Sequence, residues 1–211
     1  MRNGIGTTVR GIIGIAAVAC ALALPGAASA GLLTGTLSTS EASYCDPDVN
    51  QYFKRWGDSA LYRLVPGGSF EGTHGWRLAN GAKVVSGNEP WYVKGHGSRS
   101  LYLPAGSTAT SPTTCFDFGD WHARFFVRNR GGGGSLEVDI LVRSLVGVLS
   151  VIDGGSVRAD GTWDPSPRVS ALVTNVGGLV GTEAVSFRLK AKGSGAAFQV
   201  DDVFLDPFRS R

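Results

Sequence analysis

Apolar and polar positions alternate in short runs along most of this chain. In LEVDILVR, Leu136, Val138, Ile140 and Val142 fall on one face, and Glu137, Asp139 and Arg143 on the other. In AVSFRLK, Val185, Phe187 and Leu189 oppose Ser186, Arg188 and Lys190. In HARFFVRN, Ala123, Phe125 and Val127 oppose Arg124 and Arg128. KVVSG, SLYLP, VGVLSVI and FQVDDVFL read the same way. A period of two is the mark of a strand with one buried face. Turn residues separate the runs: Gly106, Gly131 to Gly134, Asp153-Gly154-Gly155, Asp160-Gly161, Gly177-Gly178 and Gly193-Ser194-Gly195. No segment carries a long helical period, although DVNQYFKRW, up to Gly57, has room for one helical turn. Many short strands at regular spacing predict an all-β fold, a two-sheet antiparallel β-sandwich of the jelly-roll kind.

The first thirty residues differ from the rest. Arg2 and Arg10 precede an apolar run, GIIGIAAVACALAL, which Pro25-Gly26 breaks before Ala28-Ser29-Ala30. A basic start, a short apolar stretch and an A-x-A end predict a secretory signal peptide, residues 1–30. The run is too short for an ordinary membrane span. Cys20 is followed by apolar residues where a lipoprotein site turns polar. The expected mature chain is exported, with no transmembrane segment. Removing Arg2 and Arg10 lowers the formal net charge from +3 to +1, which argues against nucleic acid or an anionic membrane as the main partner.

Two cysteines remain, Cys45 and Cys115. Export and an even count favour a disulfide between them, closing a loop of roughly 70 residues worth about 4 kcal/mol in the chain-entropy model. No C-x-x-C and no clustered histidine supports a redox or metal pair instead. The bridge would tie an irregular lead-in, residues 31–64, to the sandwich domain, residues 65–211.

Three motifs, two of them at the ends of the domain, carry a family resemblance. PGGSFEGTHGW, from Pro66 to Trp76, resembles the first strand of carbohydrate-binding jelly rolls of the galactose-binding-like type. FQVDDVFLDPF resembles their last strand, and GTWDPSPRV their Trp-containing strand. The resemblance implies a two-sheet sandwich whose first and last regions meet and hold a structural calcium. Glu71 and Asp201 match the positions that supply carboxylates, with Asp201 preferred over Asp202 by motif position. It also implies that Trp76 and Trp163 lie between the sheets.

Candidate chemistry is otherwise sparse. Sugar rings stack on aromatic faces, and Trp91, Tyr92 and Tyr102, with His96 nearby in PWYVKGHG, are the candidate ligand-binding residues. Asp46-Pro47-Asp48-Val49-Asn50 begins like an EF-hand loop, but Gln51 and Gly57 stand where the loop needs Gly and Glu. No nucleophile elbow, zinc-protease motif or Walker motif is present. His74, His96 and His122 are scattered. Glu137 and Asp139 share a face at roughly 7 Å, a spacing compatible with glycosidase carboxylates or with a solvent-facing strand. The sequence therefore predicts a secreted, non-catalytic binding module for a glycan or envelope component. The alternatives are a protein-interaction sandwich without a sugar site and, behind it, a glycosidase-like enzyme.

Overall fold

A computed structural model describes residues 48–72, 75–116, 122–143, 149–171 and 183–206. Among the described residues, fourteen strands form two antiparallel sheets. One sheet holds β1 (Val49–Asn50), β2 (Tyr62–Leu64), β4 (Lys83–Ser86), β5 (Arg99–Pro104), β8 (His122–Asn129), β11 (Asp164–Pro165), β12 (Val169–Ser170) and β14 (Ala197–Leu205). The other holds β3 (Arg77–Ala79), β6 (Thr108–Thr110), β7 (Thr114–Phe116), β9 (Ser135–Arg143), β10 (Leu149–Val157) and β13 (Glu183–Lys192). We call them the β14 sheet and the β13 sheet. β14 lies at the centre of its sheet, with β5 and β2 along one edge and β8 along the other. β13 lies between β9 on one edge and β6 and β7 on the other.

The alternation read in the sequence builds the core. Leu101, Leu103, Phe125, Val127, Phe198 and Val200 from one sheet meet Leu136, Val138, Ile140, Val185, Phe187 and Leu189 from the other, all buried. Two segments depart from expectation. Asp153-Gly154-Gly155 is not a turn between strands but a bulge inside β10, where pairing with β9 shifts between Asp153 and Ser156. A Cβ on Gly154 would stand 2.8 Å from the Val138 carbonyl oxygen, so glycine lets the bulged strand approach its neighbour. Residues 66–72 are not a strand either. They form turns, with Phe70 at φ 56° and buried, and the next strand starts at Arg77.

A second apolar cluster covers the outer face of the β14 sheet. In β8, Phe125 and Val127 face the core, while Arg124, Phe126 and Arg128 face outward. Phe126 and Phe204 are nevertheless fully buried, beneath Phe53 and Tyr62. The Phe53 ring stacks on Phe126 at 5.3 Å and meets Phe204 edge-on at 5.5 Å. Burying each such side chain is worth roughly 2–3 kcal/mol. Residues 48–64, expected as irregular lead-in, therefore supply β1, β2, a 3-10 turn at Lys54–Trp56 and the cover for this face. Asp58 fastens the cover. Its carboxylate accepts from Arg124 at 2.8 Å, from the Tyr62 hydroxyl at 2.8 Å and from Arg168 at 2.5 Å. The Arg124 guanidinium also lies 4.3 Å over the Phe53 ring and donates twice to the Ser166 carbonyl.

Candidate functional site

The acidic pair of β14 sits at a break in the strand. Pairing with β8 shifts between Asp201 and Phe204, and Asp202 adopts φ 46°. Regular pleating would send neighbouring side chains to opposite faces. The bulge removes that rule, and both carboxylates are buried. The turn at 65–68 docks here on the strand backbone: Val65 N–H donates to the Val203 carbonyl at 2.8 Å, and Val203 N–H to that of Gly68 at 3.1 Å. A Cβ on Gly68 would stand 2.7 Å from the Val203 oxygen, so this contact needs glycine.

The two aspartates have separate surroundings. Asp201 accepts from the backbone N–H groups of Glu89 at 3.0 Å and Asp202 at 2.9 Å. Burial, with the charge of Asp202 added, pushes its carboxyl up to about 9. Asp202 accepts from the Lys94 N–H at 3.2 Å. Burial and the charge of Glu89 push it up to about 7. Glu89, fully buried, accepts from the N–H groups of Trp91 and Val93 and so shapes the 88–94 loop.

Glu71 is exposed and ties its turn to β5, accepting from the N–H groups of Ser98 and Arg99 at 2.7 Å each. It lines a small cavity of about 100 Å³ with Ser69, Asn88, Lys94, Gly95, His96, Gly97 and Asp202. Glu71 thus shares its cavity with Asp202, whereas the motif position favoured Asp201. A Cβ on Gly97 would stand 2.2 Å from Asn88 Oδ1 and 2.8 Å from Glu71 Oε1, so glycine leaves that oxygen-lined space open. Among the described residues, no three His, Cys, Asp or Glu side chains form a metal-binding group by themselves.

The aromatic candidates divide. Tyr92 is 47% exposed, at φ 52°, with its ring 5.2 Å from His96. Trp91 is half-buried, edge-on to Trp56 at 5.1 Å and 5.4 Å from Phe126, so it extends the cover of the β14 sheet. Tyr102 stands apart from both on β5, in a row that crosses the sheet beside the aromatic cover, with Gln199 buried at its centre. Tyr102 pairs with Gln199 of β14, and Gln199 pairs with Arg128 of β8. Arg128 Nε donates to Gln199 Oε1 at 2.6 Å, and its guanidinium lies 4.8 Å over the Trp163 ring. At the other end Lys83 of β4, paired with Tyr102, holds its ammonium 5.8 Å from that ring. Trp163, expected between the sheets, is therefore on the outer face, half-buried; Trp76 does pack against the core, its ring tilted against Phe70 at 5.0 Å. Arg128, Gln199 and Trp163 were not singled out in the sequence. Arg128 was visible there as an outward position of HARFFVRN, but nothing local pairs it with Trp163.

Glu137 and Asp139 do share the outer face of the β13 sheet. Lys190 Nζ reaches both, at 2.9 and 3.1 Å, and Arg188 reaches Asp139 at 2.5 Å. Both carboxylates are thus engaged in ion pairs across the β9–β13 ladder. Cys45, His74 and the Gly177-Gly178 turn lie outside the described residues; Cys115 is described in β7, but not its side chain. The same holds for residues 1–30. No helix among the described residues is long and apolar enough to cross a membrane.

No family model and no curated protein matches the chain by sequence. Solved structures do match. The CBM22-1 xylan-binding domain of Paenibacillus barcinonensis Xyn10C aligns over 68% of this chain and 93% of its own, at 16% identity and TM-score 0.48. TmCBM61, solved with β-1,4-galactotriose, aligns over 70% and 99%, at 17% identity and TM-score 0.40. The family 11 module of Clostridium thermocellum Lic26A-Cel5E aligns over 71% and 96%, at 14% identity and TM-score 0.39. All three are carbohydrate-binding modules, the group that the two terminal motifs resemble. At these identities and scores the likeness says nothing about ligand or site.

Proposed function

We propose that this chain is a non-catalytic, secreted glycan-binding module, and that its saccharide lies across the β14 sheet beside the aromatic cover. The row of Trp163, Arg128, Gln199, Tyr102 and Lys83 carries this reading. Aromatic faces offer flat apolar surface to sugar C–H groups, and the cations of Arg128 and Lys83 offer hydrogen bonds to hydroxyls, while the buried Gln199 amide holds Arg128 in place. The row is built on strands and braced by the Arg128–Gln199 bond, so little order is lost on binding. Export is supported by the N-terminal pattern of a basic start, an apolar run and an A-x-A end.

Retention of the purified chain on a panel of immobilised polysaccharides tests the reading. At least one polymer should be retained, and Trp163→Ala and Tyr102→Ala should each weaken retention about tenfold, the scale of a lost ring contact of 1–1.5 kcal/mol. Arg77→Gln, on the other sheet, should leave it unchanged. Retention of no polysaccharide, together with capture of a defined protein partner, would favour the protein-interaction sandwich.

The cavity beside Glu71 fits a structural calcium. Calcium takes oxygen ligands, and Glu71, Asp202 and Asn88 Oδ1 supply them, with backbone oxygens needed to complete the set. A cation there would offset the burial of the Asp202 charge and tie the 66–72 turn to the last strand.

A further inference from the structure

We infer that the saccharide is anionic, and that its acidic groups take Arg128 and Lys83 as counter-ions. This rests on the β14 sheet row being the saccharide platform.

The inference comes from how arginines are paired in this domain. Arg124 and Arg168 share the Asp58 carboxylate, and Arg188 reaches Asp139. Arg128 is half-buried too, yet its partners are an amide oxygen and an indole ring. Among the described residues, no carboxylate stands within ion-pair distance of it. Its Nη2 comes 3.7 Å from where a Cβ on Gly87 would stand, so the far end of the fork lies against that open glycine. Burial and the neighbouring charge of Arg130 hold its pKa below the usual arginine range, as expected of a cation lacking a counter-charge.

The surrounding acids are occupied. Asp201 accepts from two backbone N–H groups beneath the 88–94 loop, and Glu89 from two within that loop. Asp160 accepts from the Thr162 N–H and hydroxyl, and Asp164, beside Trp163, lies 3.4 Å from the same hydroxyl. This face presents Lys83, Arg128 and Arg130, and among the described residues none of these acids forms an ion pair with them. A neutral sugar would leave a half-desolvated guanidinium without a counter-charge, which is costly. A carboxylate or sulfate supplies one in the fork geometry that arginine favours. Lys83 and Arg128 stand three strand spacings apart, about 14 Å. Two acidic groups of one extended polymer can therefore be met together.

The test is affinity electrophoresis of the purified chain through gels containing polygalacturonate, its methyl ester, dextran sulfate or dextran. Polygalacturonate, dextran sulfate or both should retard the chain at least about tenfold more strongly than the matched neutral polymer, as a charge-assisted pair implies. Which of the two acidic polymers does so separates carboxylate from sulfate. Arg128→Gln and the exposed Lys83→Gln should each reduce that retardation without lowering the melting temperature by more than a few degrees. Equal retardation by charged and neutral polymers would overturn the inference and leave the platform standing. So would acidic retardation that survives both substitutions, which would mark a diffuse polyanion effect. Retardation by none of the four, with another neutral polysaccharide retained through Trp163, would also overturn it. Failure of every polysaccharide would sink the platform itself.

Discussion

Asp201 and Asp202 are adjacent in the chain and both buried, at 0% and 4% exposure, because Asp202 takes φ 46° at a bulge in β14. Two neighbouring carboxylates in one interior make the fold sensitive to pH. Their folded pKa values, about 9 and about 7, lie above the unfolded values, as does that of Asp206 at about 6. The stability these groups contribute is fully present below about pH 4 and is lost as pH rises through 6 to 9. Asp58 acts in the opposite sense. Hydrogen bonds from Arg168, Tyr62 and Arg124 outweigh its burial and hold its pKa low, so its contribution is lost as pH falls below about 4. Stability should therefore peak near pH 4–5 and fall by on the order of 2 kcal/mol or more by pH 8. Urea unfolding at a series of pH values checks this. A flat profile from pH 5 to 9 would contradict it.

Calcium should counter the alkaline loss. By mass action, a cation bound at Glu71 and Asp202 raises the melting temperature more at higher free calcium. Glu71→Gln should remove most of that gain and leave a folded domain. Identical melting curves in chelator and in excess calcium would rule the ion site out, leaving Glu71 as the acceptor that ties its turn to Ser98 and Arg99.

Asp58→Ala should be strongly destabilising. It would leave Arg124 buried without its counter-charge and free Arg168 from the cover segment, a loss on the scale of about 3 kcal/mol. Trp56 and Trp91 belong to the same cover, so tryptophan emission should shift to the red in the native baseline. A midpoint within error of the parent chain would mean that the aromatic packing alone holds residues 48–64.

The glycine run between β8 and β9, which carries the chain from one sheet to the other, is not uniform. A Cβ on Gly131 would stand 1.8 Å from the Gly195 carbonyl oxygen, whereas one on Gly133 would meet nothing within 4 Å. Gly131→Ala should cost more than about 2 kcal/mol, and Gly133→Ala should stay within about 0.5 kcal/mol. Paired thermal melts decide it, and equal losses would show that the loop relaxes freely.

The Cys45–Cys115 bridge should be seen in the exported protein as an intact mass two hydrogens below the reduced value. Thiol labelling of both cysteines without prior reduction would exclude it.

Alternation alone was enough to determine β5, β8, β9, β13, most of β14 and the core they enclose, because a strand with one buried face repeats every two residues whatever it packs on. The paired outward acids of β9 were legible for the same local reason, but the glycine run at 131–134, which local pattern reads as a hairpin loop, instead crosses from one sheet to the other. What covers the second face was not. Phe126 and Phe204 read as ordinary strand residues until Phe53 and Tyr62, from a segment with no periodicity of its own, fold over them. The choice between Asp201 and Asp202 depended on one left-handed residue, which pleating rules take to be absent. The row from Trp163 to Lys83 joins five elements whose order in the sheet is not their order in the chain. Local pattern tells which way a side chain points; only the assembled sheet decides which side chains become neighbours.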